Sequence, residues 1–282
     1  MQEIIKYIRS ELNLSPAQLG RMLDTSADSV VAWERGASLP EVPKQRLLYT
    51  LCRKSIPDIA DFVVENAAAP PGEGLILYHA SRKGISGNIQ PISRRCCDFG
   101  IGFYLGTDPL QPLTLVCNEA APVFYTLRMN AEGLRCLDLD VGLDWAMLIA
   151  YFRGYMEEWQ DTSLYSKYAH MTDGYDVIIG YIANDRMYRV LTDFFEGRLT
   201  DTALIAGLSA LKLGRQYVAK TAKACEHISL LHEKKLFPFE LMVLQDRSAL
   251  RRREGLATTD NILRIHRRDG RFFDEIMRGV EP

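Results

Sequence analysis

Two neighbouring stretches decide the fold of the C-terminal part of this chain: Leu75-Ile76-Leu77-Tyr78-His79-Ala80-Ser81, and then Asp98-Phe99-Gly100-Ile101-Gly102-Phe103-Tyr104-Leu105-Gly106-Thr107. The first is a short apolar run, which predicts a strand that carries His79 near its end. The second is interrupted by Gly100 and Gly102, which permit sharp backbone turns and the close approach of a ligand before Tyr104. We therefore expect an imidazole and a phenol ring on neighbouring strands.

The pairing of these two stretches resembles the NAD-binding centre of the ADP-ribosyltransferase fold. In the diphtheria-toxin-like and poly-ADP-ribose-polymerase-like branch, one strand carries His-Gly-Ser or a relative, and the next motif reads much like Phe-Gly-Lys-Gly-Ile-Tyr-Phe. The resemblance implies that NAD is the substrate and that His79 hydrogen-bonds its adenine-side ribose. It also implies that Ala80, with Ser81 as a weaker second contact, pairs with the nicotinamide amide.

The resemblance assigns the remaining contacts to the glycine-rich motif and to a later strand. Tyr104 would stack on the nicotinamide ring, and Gly100 and Gly102 would let the backbone approach the cofactor. The third catalytic position, commonly glutamate in the family, is Gln216, whose surroundings resemble the domain of unknown function 3990 group of uncharacterised bacterial members. Glutamine can bond a ribose hydroxyl but brings no charge, so single transfer is expected rather than polymer formation. The rival residues for this position are Glu157, Glu158, Glu226 and Glu240.

Two further segments carry polar residues that fit more than one role. Asp176 and Asn184-Asp185 flank a predicted buried strand, and they either shape the pocket and acceptor site or form ordinary turns. The segment 173–185 that contains them also resembles the 3990 group. The C-terminal region is the most basic part of the chain, with Arg251-Arg252-Arg253 and the segment 264–271. It is either a solvated face or a contact for nucleic acid or an acidic protein.

The N-terminal segment is predicted to form short amphipathic helices. Ser15-Pro16 and Ser26 are typical helix starts, and Gly36 is a typical helix stop. The segment resembles the helix-turn-helix of the Xre/Cro-repressor class, on these residues: Leu14-Ser15, Gln18-Leu19, the stretch 26–30, Trp33-Glu34-Arg35-Gly36 and Pro40. In that class the helix from Ser26 enters the major groove, which makes a DNA operator the implied partner. The DNA-binding residues would be Ser26, Ala27, Asp28, Ser29 and Arg35. The alternative is a domain for dimerisation or protein docking, because the helix itself has no lysine or arginine.

The stretch 66–74 crowds alanine, proline and glycine together without periodicity, which predicts a linker there. The domains are then an all-α unit at 1–65 and an ADP-ribosyltransferase-like unit with a basic extension at 75–282. The predicted strands are Leu75–His79, Phe103–Leu105, Pro122–Met129, Asp176–Gly180, Gln216–Ala219 and Glu240–Leu244. The predicted helices after the linker are Trp145–Gln160, Arg186–Glu196, Thr200–Leu211 and Ala222–Leu231. Because strands and helices do not alternate, we predict an α+β fold with a split sheet, that is, two small sheets.

The composition limits the classes of function. The chain has 282 residues, 47% of them hydrophobic, and a formal net charge of −2, so any nucleic-acid contact must come from a local patch. Its six cysteines form no Cys-x-x-Cys pair and have no histidine at zinc spacing, which predicts reduced thiols and no metal. No signal peptide or apolar run long enough for a membrane is found, so a cytoplasmic protein is expected.

Together these features predict a cytoplasmic NAD-dependent mono-ADP-ribosyltransferase. The resemblance implies a toxin of a toxin–antitoxin or phage-defence module, with a neutralising antitoxin or small neighbouring-gene protein as partner. The acceptor would be a protein or a nucleic acid, and a homodimer is left open. One alternative is a transcriptional regulator whose second domain only senses NAD or a related nucleotide. A second alternative is an NAD glycohydrolase. An RNA 2′-phosphotransferase ranks low, because no arginines accompany His79 at matching positions.

Overall fold

A computed structural model describes residues 1–68, 72–182, 185–209, 214–266 and 269–279, without the side chains of 185–187 and 252–264. The N-terminal part is all helical: α1 Gln2–Glu11, α2 Pro16–Met22, α3 Ala27–Glu34, α4 Val42–Cys52 and α5 Ile59–Ala67. The predicted helix starts are confirmed. Ser15 accepts a hydrogen bond from the backbone of Gln18, and Ser26 accepts one from the backbone of Ser29. Both serines therefore satisfy amides that have no partner inside their helices.

The C-terminal part is built on one seven-stranded sheet: β1 Leu75–Ser81, β2 Phe103–Gly106, β3 Val123–Met129, β4 Cys136–Asp138, β5 Val177–Tyr181, β6 Arg215–Ala219 and β7 Ile228–Lys235. The strand order is β4-β5-β6-β2-β1-β3-β7. Neighbouring strands are antiparallel except for β4 and β5, which are parallel. The mixed class of the prediction is confirmed, with helices at the N-terminus and a mixed sheet after them.

The prediction of two small sheets is wrong, because β1 and β2 join all seven strands into one. The junction is narrow: β1 and β2 pair through Tyr78 and Gly106, whereas β1 pairs with β3 along its whole length. On the side of the junction towards the 82–102 connection, β1 and β2 are no longer paired. We call this unpaired part of the two strands the seam. The sheet is therefore continuous, but β1 and β2 are joined by a single residue pair next to the seam.

The helices described in the C-terminal part are α6 Leu110–Val116, α7 Leu143–Phe152, α8 Ser163–His170, α9 Asp185–Phe195, α10 Asp201–Ser209, α11 Ala222–Glu226, α12 Pro238–Ile265 and α13 Phe273–Met277, with a short 3-10 turn at Glu157–Trp159. Three predicted elements are wrong. The predicted helix Trp145–Gln160 ends at Phe152, before the 3-10 turn. The predicted strand Glu240–Leu244 lies inside α12, and the predicted helix Ala222–Leu231 ends at Glu226. The residues after it form β7, because the outer side of β3 has hydrogen-bonding groups that β7 pairs.

One hydrophobic core crosses the predicted boundary near residue 66. Buried residues of α1, α4 and α5, such as Ile5, Leu48 and Val63, share this core with Leu113 of α6 and Phe239 of α12. The N-terminal helices therefore pack directly on the C-terminal part. Two further cores lie on the two faces of the sheet, one around α7 to α10 and one around β1, β3 and α11. The division into domains at 1–65 and 75–282 stays a prediction.

Candidate functional site

His79 lies on β1 at the seam and bridges to β2. Its Nδ1 is 2.8 Å from the backbone oxygen of Tyr104. A carbonyl oxygen can only accept, so Nδ1 carries the proton. Burial lowers the pKa of His79, which keeps the ring neutral at pH 7. A neutral ring with its proton on Nδ1 has an acceptor lone pair on Nε2, and within the described ranges no hydrogen bond to Nε2 is present.

Tyr104, on β2, uses its hydroxyl to fasten the preceding glycine-rich turn. The hydroxyl donates to the backbone oxygen of Gly100 at 2.7 Å and accepts from the backbone N–H of Phe99 at 3.0 Å. Burial raises the pKa of the Tyr104 phenol, so it stays neutral. The phenol is therefore fixed in place and is half-buried against the core around α7 to α10.

His79 contacts the backbone of Tyr104, but the two side chains point away from each other. Residues that face each other in an antiparallel pair share one face of the sheet. His79 is opposite Tyr125, and its ring is 4.5 Å from the ring of Phe103, the neighbour of Tyr104. Because successive residues of a strand point to opposite faces, His79 and Tyr104 lie on opposite faces at the seam.

Gln216, the third predicted residue, is on the same face as Tyr104. It lies on β6 opposite Gly106, two residues along β2 from Tyr104. Its Nε2 donates to the backbone oxygen of Tyr181 at 2.8 Å and to Oδ2 of Asp98 at 3.3 Å. Gln216 is 6% exposed and is held by partners at its amide nitrogen.

The predicted glycines are required by close packing. Gly100 has φ +69°, and a Cβ there would lie 2.6 Å from the Phe152 ring. A Cβ at Gly102 would lie 2.4 Å from a methyl carbon of Val218. The missing side chain of Gly100 lets the turn lie against α7, and that of Gly102 lets the start of β2 lie close to β6. Neither residue is shown to meet a ligand.

Ala80 and Ser81 complete the predicted cofactor-binding set on β1. Ala80 packs against the core shared with the N-terminal helices. The Ser81 hydroxyl donates to the backbone oxygen of Gly84 at 3.0 Å, which fastens the start of the 82–102 connection. Both residues are partly exposed and lie at the seam.

Three charged residues at this site were missed as functional residues. Asp98 is 8% exposed and accepts from Arg153 Nε at 2.9 Å and also from its Nη2. The Nζ of Lys220 donates to the backbone oxygen of Phe99, and burial lowers the pKa of Lys220 to about 8. Asp98 belongs to the stretch 98–107 quoted in the sequence analysis, so its position beside the predicted site residues was a signal that could have drawn attention to it. Nothing in the sequence linked Arg153 or Lys220 to that motif.

The rival acidic residues lie in different surroundings. Glu157 and Glu158 are exposed in the short 3-10 turn, and Glu226 is exposed at the end of α11. Glu240 is fully buried, with its Oε1 2.8 Å from the Nζ of Lys234. This contact is an ion pair, and the other carboxylate oxygen, Oε2, accepts from the backbone N–H of Phe237 at 2.9 Å. Glu240 belongs to the core that joins the N-terminal helices to α12.

The other predicted polar residues are placed as follows. Asp176 accepts from the backbone of Arg135 and the hydroxyl of Thr221, and these bonds lower the pKa of the carboxyl. It therefore ties β4, β5 and β6 together at their ends. Asn184 lies outside the described residues, as does the side chain of Asp185. In the C-terminal basic region, Arg251 is 3.6 Å from a carboxylate oxygen of Asp108. The side chains of Arg252, Arg253 and Arg264 are not among those described, and Arg267 and Arg268 lie outside the described residues.

The predicted DNA-binding residues cluster at the two ends of α3. Ser26 caps the helix, and Ala27, Asp28 and Ser29 form its first turn. Arg35 is exposed at the C-terminal end of the helix. The helix is anchored to α1 by Glu34, which accepts from Arg9 Nε at 2.6 Å. This placement leaves the DNA contact itself a prediction.

Three further findings concern the cysteines, the metal-ligating side chains and the length of the helices. The six cysteines are free thiols. Within the described ranges, no group of three or more His, Cys, Asp or Glu side chains could hold a metal ion. No helix in the described part of the chain combines the length and apolar character needed to cross a membrane.

The fold and the site thus define a mixed α/β protein with a helical N-terminal part and a histidine–tyrosine seam in its sheet. The family model described as Protein of unknown function (DUF3990) matches residues 75–230, more than half of the chain, and the chain belongs to that family. The predicted membership of the 3990 group is therefore confirmed for this region. No curated protein matches the chain, and no solved structure matches it.

Proposed function

We propose that this protein is an NAD-dependent mono-ADP-ribosyltransferase whose dinucleotide binds at the seam between β1 and β2. One observation carries the proposal. The neutral His79 ring, with Nδ1 bonded to the backbone of Tyr104, offers Nε2 as an acceptor at the seam, where β1 and β2 are not paired with each other. A ribose hydroxyl is the kind of donor that such a nitrogen binds.

To cleave the bond between nicotinamide and ribose, the protein mainly has to bind the dinucleotide tightly and orient it. Nicotinamide leaves as a neutral group, and the developing oxocarbenium charge is met by acceptors that are already in place. In this proposal His79 holds the adenine-side ribose and the half-buried Tyr104 ring packs on the nicotinamide. Gln216 accepts a hydroxyl of the nicotinamide-side ribose through its Oε1. Because the two rings lie on opposite faces, the dinucleotide in this proposal crosses the sheet at the end of the seam towards the 82–102 connection, beyond the hydrogen bond from His79 to the Tyr104 backbone.

The test is incubation of the full chain with NAD that carries a label in its adenylate half, together with cell extract. We expect nicotinamide release by the wild-type protein and label on protein, RNA or DNA. His79→Ala should reduce release at least tenfold. His227→Ala is the matched control, because that partly exposed histidine also contacts a backbone oxygen through Nδ1, at 3.0 Å from the oxygen of Asn130. Equal release by the wild type and His79→Ala would contradict the proposal.

The sensor function is a second candidate, favoured by the uncharged amide of Gln216 where the family commonly has glutamate. It predicts heat on mixing the protein with NAD in a calorimeter, and no nicotinamide release above background. Release of nicotinamide without any labelled macromolecule would instead indicate an NAD glycohydrolase. The release assay and calorimetry together therefore separate the three functions.

In the proposed transferase, the N-terminal helices would tether the enzyme to DNA through α3. The chain carries few cations there, so binding should be weak and sensitive to salt. We expect fluorescence anisotropy with duplex DNA to show binding at 50 mM salt that is lost by 200 mM, and to weaken in Arg35→Ala. Lys235→Ala, which removes an exposed lysine of β7, is the control. Absence of binding at 50 mM salt would favour a docking surface for a neutralising partner.

A further inference from the structure

The Gln216 amide has only one orientation that satisfies its neighbours. Gln216 lies between Gly106 of β2 and Gly180 of β5, and its Nε2 reaches the backbone oxygen of Tyr181 and Oδ2 of Asp98. A carbonyl and a carboxylate only accept, so both must face the NH₂ end of the amide. Oε1 is then the end directed away from both groups. Within the described part of the chain, no hydrogen bond to Oε1 is present.

The Asp98 carboxylate is itself held rigidly. Its Oδ1 accepts from two nitrogens of Arg153, which leaves Oδ2 for Gln216. The Arg153 guanidinium carbon lies 4.2 Å from the centre of the Tyr188 ring. Asp98 is brought to this place because Gly180 has no Cβ, which lets the ring of the next residue, Phe99, lie against β5. The chain of contacts therefore runs from Tyr188 through Arg153 and Asp98 to Gln216.

We propose that Asp98 is a positioning residue for Gln216, and that it makes glutamine rather than glutamate the residue suited to this position. The inference rests on the proposed ADP-ribosyl transfer, in which the fixed Oε1 accepts a ribose hydroxyl. A carboxylate at position 216 would place negative oxygens against the Asp98 carboxylate and the Tyr181 carbonyl. Two carboxylates about 3 Å apart in a buried site cannot both stay ionised without a large cost.

The test is a double-mutant cycle on the free energy of unfolding in urea. Gln216→Glu should lower the folding equilibrium constant on the order of tenfold or more, although it restores the residue common in the family. Asp98→Asn should also destabilise, because its single acceptor oxygen cannot serve both Arg153 and Gln216. The double variant should be more stable than the sum of the two losses predicts. In it the introduced amide can donate to the introduced carboxylate while its oxygen still accepts from Arg153.

The matched control for Asp98→Asn is Asp193→Asn. Asp193 is another largely buried aspartate bound by an arginine, with Arg198 Nε 2.8 Å from its Oδ1. Asp193→Asn should destabilise the fold, and its loss of stability should simply add to the loss caused by Gln216→Glu. Strict additivity of Asp98→Asn with Gln216→Glu would overturn the proposal.

Two further measurements keep the proposal testable. If Asp98→Asn does not fold, Gln216→Glu should be less stable than Gln216→Met, whereas a purely space-filling role would favour the glutamate, which has the shape of glutamine. For folded Asp98→Asn, kcat for nicotinamide release should fall at least tenfold with KM for NAD within about threefold, and an unchanged kcat would contradict positioning. The coupling of stabilities needs no NAD. If the double-mutant cycle shows coupling but the wild-type protein does not release nicotinamide, the result overturns the proposed transferase activity and supports the fixed orientation of the Gln216 amide.

Discussion

Replacing Lys234 with methionine tests whether the N-terminal helices and the sheet form one cooperative unit. The Glu240 side chain is fully buried, and Lys234 is its counter-charge at 2.8 Å, with its own side chain only 13% exposed. The Nζ of Lys234 also donates to the backbone oxygen of Asn66, in α5, at 3.1 Å. One lysine on β7 therefore neutralises a buried carboxylate of α12 and holds the last N-terminal helix.

Lys234→Met should lower the free energy of unfolding by about 3–5 kcal/mol, because it removes the ion-pair partner of a fully buried carboxylate. Lys235→Met is the matched control. That neighbouring lysine is exposed, so the loss there should stay within about 0.5 kcal/mol. Adding Glu240→Met to Lys234→Met should recover part of the loss by removing the charge. The recovery is incomplete because the backbone N–H of Phe237 loses its acceptor, Glu240 Oε2 at 2.9 Å.

The assay is urea unfolding followed by tryptophan fluorescence, with Trp33 reporting on the N-terminal helices and Trp145 on the sheet. Single-tryptophan variants should show coincident transitions, both shifted by Lys234→Met. The reasoning would be refuted if Lys234→Met and Lys235→Met had equal effects. Separate transitions for the two tryptophans would show that the shared core does not couple the two parts, in agreement with independent domains at 1–65 and 75–282.

Three further perturbations test the site. Gly102→Ala should destabilise by about 1–3 kcal/mol in thermal unfolding, because its Cβ would lie 2.4 Å from Val218; no loss would contradict the packing of β2 on β6. Burial lowers the pKa of Lys220 from 10.5 to about 8, so the unfolded chain binds more protons between these values and stability rises with pH there. Because Lys220 is partly exposed, solvent screening reduces the effect, and the wild type should gain about 1 kcal/mol over Lys220→Met between pH 7.5 and 9.5 in urea titrations. Parallel pH profiles would contradict the burial. Tyr104→Phe should keep NAD binding in calorimetry but lose about 1–3 kcal/mol of stability, because its hydroxyl bonds two backbone groups of the preceding turn; unchanged stability would contradict those bonds.

Local signals in the sequence were sufficient for the elements that carry His79 and Tyr104. The apolar run before His79 forms β1, the residues from Phe103 form β2, and the two strands are neighbours. The serine caps of α2 and α3 were equally readable, because a side chain that accepts from its own helix needs no distant partner. Membership of the DUF3990 family follows from the same region of the chain.

Long-range contacts decided the elements that the sequence patterns described wrongly. The apolar pattern at Glu240–Leu244 suits either a strand or a helix, and the burial of Glu240 beside Lys234 in the shared core accompanies a helix. Leu230 and Leu231 end the predicted helix Ala222–Leu231, yet they are exposed on β7, which pairs with the outer edge of β3. Such choices depend on which hydrogen-bonding groups remain unpaired elsewhere, and local periodicity contains no record of them.

By itself, then, the sequence determined which residues lie on β1 and β2, because strand formation and helix capping depend on near neighbours. Only the tertiary structure decided that His79 and Tyr104 point to opposite faces and that Asp98 reaches Gln216. The face of a strand residue is set by its register with its partners, and the meeting of Asp98 with Gln216 depends on packing between residues 118 positions apart.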